Sequence, residues 1–128
     1  MTKILFSTPI GPYRTHAWNN SLTDLQEQRF SMGQDIFTFR GHMHCPNVHV
    51  LAQNISLPSV VLEYPRWDDF EDEIRKGYDY IGISFMHNHV DVVMEMCKRI
   101  RAISPQSKII LGWHGARGIA VSYPEEVV

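Results

Sequence analysis

Four short apolar runs punctuate the chain, each closed by a turn-forming or polar residue. Residues 3–7 are rich in Ile, Leu and Phe and stop at Thr8-Pro9. Residues 59–64 stop at Pro65, residues 80–86 at His87-Asn88-His89, and residues 108–111 at Gly112. The runs are nearly continuous in apolar character, the pattern of strands covered on both faces. Helical patterns alternate with the last three. Residues 67–76 open with Asp68, Asp69 and Glu71 and end in Arg75-Lys76-Gly77, which suits the helix dipole and a C-terminal glycine cap. Residues 90–103 place Val93, Met96, Cys97, Ile100 and Ile103 on one stripe, so these and Met94 are read as packing residues. Ser104-Pro105 then stops the helix.

Strand, helix, strand, helix, strand implies right-handed crossovers and a parallel sheet. The expected fold is a doubly wound, flavodoxin-like (Rossmann-like) α/β domain of three layers. About 50 residues separate the first two strands, far more than an ordinary loop. Residues 46–56 supply the crossover helix, with Asn47 as the expected cap, and residues 21–29 form a further expected helix. Residues 11–45 then read as an insertion or lid over the strand ends. Residues 123–128 look like the start of another helix near Pro124, as expected of the front domain of a longer protein.

Length and composition narrow the function classes. The chain has 128 residues, enough for one domain with one core. A net charge of −2 leaves no electrostatic footprint for nucleic acid or an anionic membrane. No apolar run approaches the roughly 18 to 20 residues that span a bilayer. The amino terminus runs straight into the first strand pattern with no signal-peptide features, so a cytoplasmic protein is expected. Cys45 and Cys97 are then read as free thiols.

Ligands of open parallel sheets bind outside the carboxyl ends of the strands, near the switch in strand order. Those ends are Thr8-Pro9-Ile10-Gly11-Pro12, Ser84-Phe85-Met86-His87-Asn88-His89 and Gly112-Trp113-His114-Gly115-Ala116. Gly11, Gly112 and Gly115 allow close backbone approach, although glycines also serve plain turns. His87, Asn88 and His89 are candidate donors to amides or phosphate, or else solvated loop residues. Tyr13, Trp18, Phe37, Phe39 and Trp113 are candidate walls for a planar ring. Arg14, Arg40 and Arg117 are candidate contacts for phosphate or carboxylate, against a reading as surface charges.

Residues 77–86 (GYDYIGISFM), 97–105 (CKRIRAISP) and 108–112 (KIILG), together with the opening KILFSTP, resemble the cobalamin-binding domain at the N-terminus of radical S-adenosylmethionine enzymes. The likeness covers residues 1–12 and 59–128. It implies a corrinoid whose nucleotide tail lies in a groove by Ser84, Phe85 and Met86, with Gly112 and its neighbours below. The resemblance implies cofactor contacts at Thr8, Pro9, Gly11, Ser84, Phe85, Met86, His87, Gly112, Trp113, His114 and Gly115. The family's small-residue pair stands here as Gly112-Trp113, an indole replacing the second glycine. Methionine-synthase-like domains carry Asp-x-His-x-x-Gly after the first strand; here Thr8-Pro9-Ile10-Gly11-Pro12-Tyr13 has no histidine. The radical enzymes usually lack it too, so the lower face of cobalt is expected to be unliganded or reached from the insertion.

In that family the domain binds and orients cobalamin, and methyl transfer or a related rearrangement follows. Two distant cysteines cannot hold an iron–sulfur cluster. The cluster, the S-adenosylmethionine site and the chemistry of a methyltransferase are therefore expected in a downstream radical domain, and this domain alone is expected to catalyse nothing. Two other readings stay open. One is a flavin-binding or signalling module of the same strand order, although Ser7-Thr8 and Ser84-Phe85 supply no acidic receiver site. The other is a metal-binding or purely structural domain that has lost its cofactor. Among seven histidines, His42 and His44 with Cys45 are the candidate metal ligands, although their spacing matches no standard paired set.

Overall fold

The computed structural model describes residues 1–10 and 45–122, apart from the side chains of Asn88 and Ser122. The insertion up to residue 44, with the helix expected at 21–29, and the helix expected near Pro124 lie outside the described residues.

Strands β1 (Ile4–Ser7), β2 (Ser59–Leu62), β3 (Tyr80–Ser84) and β4 (Lys108–Gly112) form one sheet in the order β2-β1-β3-β4. Every pairing is parallel: Ile4 lies opposite Ser59 and Tyr80, and Ser84 opposite Gly112. Helices α1 (Pro46–Gln53), α2 (Trp67–Arg75), α3 (Val90–Ile103) and α4 (His114–Ser122) complete the domain. This is a flavodoxin-like α/β fold.

Because strand side chains alternate, the sheet presents two different faces. Leu5, Ile81 and Ile83, with Ile109 and Leu111, meet Phe70 and Ile74 of α2, Val93, Met96 and Ile100 of α3, and Ile119 of α4. Phe70 and Ile74 are wholly buried, each worth about 1.5–3 kcal/mol of transfer free energy. On the opposite face Ile4 and Phe6 meet Cys45 and Val48 at the start of α1. Among the described residues, three helices therefore cover one face, and α1 packs over β1 and β2 on the other.

Local chemistry explains several boundaries. α2 begins with Asp68 and Asp69 and ends with Arg75, and Gly77 follows its C-cap at φ +81°, a left-handed conformation that glycine takes without strain. The Arg99 guanidinium of α3 sits 4.0 Å from the Trp67 ring centre and pairs with Glu71, tying α3 to α2.

Three details correct the expectation. α1 is capped at Cys45, not Asn47, so Cys45 belongs to the helix start; the proline at its first turn brings no N–H to satisfy. It ends at Gln53, not residue 56, where the Asn54 side-chain amide turns back to the Val50 carbonyl at 2.8 Å. The chain after β4, read only as a strand end with the next helix expected near Pro124, instead turns at once into α4.

Candidate functional site

The carboxyl ends of β1, β3 and β4 lie side by side, with Ser7 opposite Ile83 and Ser84 opposite Gly112. β1 leads outward to β2 and β3 leads the other way to β4, so strand order reverses between β1 and β3. A groove of about 440 Å³ opens there on the α1 face, a volume within the roughly 300–1,000 Å³ of small-molecule sites. Its floor is Phe6, Gly82, Ser84, Ile110 and Gly112; α1 contributes Asn47, Val48, Val50 and Leu51, and Trp113 also lines it. Among the described residues, α1 packs over β1 and β2 on this face and no helix packs over β3 and β4, so the groove lies beside α1. Val50, Leu51, Ile110 and Trp113 are consequently exposed by 55, 51, 50 and 42%. Several half-exposed apolar side chains around one concavity make it the candidate binding surface of the described residues.

The glycines divide by what a side chain would meet. A Cβ at Gly115 would overlap the Phe85 ring and stand 2.9 Å from the Met86 carbonyl oxygen, so packing requires glycine there. A Cβ at Gly82 would press on Phe6 at 3.1 Å. At Gly112 it would meet only the Ile83 carbonyl oxygen, at an ordinary 3.8 Å. The fold does not need Gly112 to be bare; its missing side chain leaves part of the groove open.

Trp113 directly follows Gly112 and sits at φ +69°. A bulky L-residue there costs about 1–2 kcal/mol. Its carbonyl accepts the Ala116 N–H at 3.2 Å, starting α4. The His114 ring lies 5.8 Å from the indole, tilted 49°, and the His87 ring lies 6.2 Å from His114. His87 and His114 are exposed, whereas His89 is buried.

Glu63, directly after β2, ties that strand end to α1 at two points. One carboxylate oxygen accepts the Cys45 N–H and the other lies 3.1 Å from His49 Nε2. It thus serves a helix start whose own capping side chain forms no cap hydrogen bond. Burial pushes the Cys45 thiol above its ordinary range, against the pull of the Val48 and Asn47 amides; Glu63 raises it further and Ser84 lowers it. Among the described residues no group of three or more His, Cys, Asp or Glu is placed to hold a metal ion, and His42 and His44 lie outside them.

Of the expected contacts, Ser84, Gly112 and Trp113 come together in the groove. Phe85, expected on its wall, turns instead into the core of the opposite face, because the parity of β3 sends it away from Ser84. Gly115 is taken up by packing against that ring. Thr8 and Pro9 are buried at the end of β1, where Thr8 Oγ1 accepts the Tyr64 N–H at 2.6 Å. Met86 is exposed. Arg117 is exposed on α4. Gly11, Tyr13, Arg14, Trp18, Phe37, Phe39 and Arg40 lie outside the described residues, as does the Asn88 side chain.

The sequence reading missed Phe6, Gly82 and Ile110 on the floor, the α1 side chains, and Glu63. The signal for the floor was present: Gly82 and Ser84, like Ile110 and Gly112, alternate at period two. Among the described residues no helix is long and apolar enough to cross a membrane. No protein-family model, curated protein or solved structure matches the chain.

Proposed function

We propose that this chain is a cobalamin-binding domain that holds a corrinoid over the carboxyl rim of the sheet and its nucleotide tail in the groove. One observation carries the reading: Gly112, which packing does not require, lies opposite Ser84 on a 440 Å³ groove beside the reversal of strand order. The resemblance placed the tail at Ser84 and Gly112, and the donor set fits such a group. Gly112 leaves room for a flat ring, Ser84 and Asn47 offer polar groups, and Val50, Leu51 and Ile110 offer apolar cover.

The exposed rings of His87 and His114 stand at the rim, where corrin amides or the tail phosphate would lie. The corrinoid supplies chemistry at cobalt, methyl transfer or a related rearrangement; this chain's residues bind and orient it. The iron–sulfur cluster and S-adenosylmethionine belong, in this reading, to a downstream radical domain of a cytoplasmic enzyme. Both cysteines stand as unpaired thiols, in keeping with a reducing compartment.

The test is an absorbance titration of the purified chain with hydroxocobalamin, followed by gel filtration. Colour retained at about one equivalent supports the reading, and the spectrum reports whether a histidine reaches cobalt. Colour that separates completely from the protein overturns binding by this domain alone. A parallel titration with flavin mononucleotide separates the alternative use of the same fold.

A further inference from the structure

We infer that Trp113 recognises the heterocyclic base of the nucleotide tail by stacking, and so sets which tail the groove accepts. This rests on the corrinoid reading above. Neither local backbone preference nor core packing accounts for an indole at this position. The backbone is left-handed, φ +69°, where glycine, asparagine or aspartate would sit with less strain. Among the described residues the side chain belongs to neither buried cluster, and it is 42% exposed.

What the indole does touch is the groove. It lines the concavity directly after Gly112, whose side-chain space is open, and with Ser84 and Gly82 on the same floor. A large π face beside Gly112 and Ser84, the small residues of the floor, is an arrangement that accepts another flat ring. The tilted ring of His114 at 5.8 Å flanks the indole on the rim. Strain maintained at an exposed aromatic beside a cavity is the mark of a residue kept for its ligand. The tail base is the flat, nitrogen-containing ring that the proposed ligand would bring there.

The experiment compares hydroxocobalamin with cobinamide, which has the corrin ring but no nucleotide tail, in the wild-type chain, Trp113→Gly and Trp113→Phe. Trp113→Gly is expected to weaken hydroxocobalamin roughly tenfold or more, to leave cobinamide unchanged, and to retain its thermal midpoint. Trp113→Phe, which keeps a flat ring, is expected to recover most of the loss. Unchanged or tighter hydroxocobalamin binding by Trp113→Gly overturns the inference while leaving the corrinoid reading standing. An equal loss for both corrinoids does the same, since it marks a role in the corrin site or in the fold. If the wild-type chain binds neither corrinoid, the corrinoid reading falls. The free nucleoside of the tail, the riboside of 5,6-dimethylbenzimidazole, then decides the stacking: binding lost in Trp113→Gly upholds it, and no binding overturns it.

Discussion

The Phe85 ring occupies the space that a side chain at Gly115 would fill, so the first turn of α4 is locked against the end of β3. The Gly115 N–H donates to the Phe85 carbonyl at 3.0 Å, and the Phe85 N–H donates to the Gly112 carbonyl at 3.3 Å. These contacts fix the rim of the groove without entering it.

Gly115→Ala and Gly112→Ala are therefore expected to behave oppositely. The first must displace a buried ring and should cost about 1–3 kcal/mol, read as a lower midpoint in urea. The second replaces a strand glycine where there is room and should leave stability unchanged or up to about 1 kcal/mol higher. In the proposed reading only Gly112→Ala lowers hydroxocobalamin retention at full stability. Equal stability losses in both would remove the case for a ligand-kept glycine.

Trp113→Gly exchanges left-handed strain of about 1–2 kcal/mol for the greater freedom of glycine in the unfolded chain, about 0.4–1 kcal/mol. The thermal midpoint should be unchanged or raised. A clear fall in calorimetry would mean that the indole supports the fold.

Glu63→Ala should destabilise by roughly 1–2 kcal/mol, since it strips the partner from the Cys45 N–H at the start of α1. His49→Ala should cost less than about 1 kcal/mol, because that side of the pair is half exposed. Chemical denaturation of the two variants tests the ranking.

Burial raises the Cys97 thiol to about 11, against the pull of Arg101. Thiolate is the reactive form, so alkylation near pH 8.5 should proceed roughly a hundredfold slower at Cys97 than in urea, where its value is ordinary. Cys45 is raised as well, by burial first. Mass spectrometry of pulse-labelled protein reads both, and rapid labelling of Cys97 in the native chain would contradict the burial seen here.

Tyr78 donates its hydroxyl to Glu73, and burial, that bond and the nearby carboxylate all raise its pKa. A raised folded value contributes stability that is complete below the ordinary pKa of about 10 and disappears as pH rises beyond it. Glu73 moves the other way: burial pushes it up, but bonds from Lys76 and Tyr78 and the Lys76 charge outweigh that. Its contribution is therefore present above about pH 4.3 and lost as pH falls through the depressed value. Tyr78→Phe should cost about 1–2 kcal/mol at pH 7 and flatten the decline above pH 10. Denaturation midpoints across pH give both.

The apolar runs, their stops and the charge order of α2 were enough to specify the four strands, α2, α3 and the flavodoxin-like class. These rest on local periodicity and local breakers, which one chain displays without its partners. The stripe of Val93, Met96 and Ile100 is legible for the same reason and is fully buried. Ser84 and Gly112 were legible as strand-end residues, because parallel sheets bind ligands at that edge.

What local pattern did not contain was decided by tertiary contact. Helix α4 holds glycines at 115 and 118 and reads as loop by propensity; the fit of Gly115 against Phe85 and the burial of Ile119 override that preference. The cap at Cys45 comes from Glu63, 18 residues away along the chain. The groove is decided by the same physics on a larger scale. Periodicity shows that a strand is apolar on both faces but not what packs on each; among the described residues the groove depends on where α1 lies across the assembled sheet.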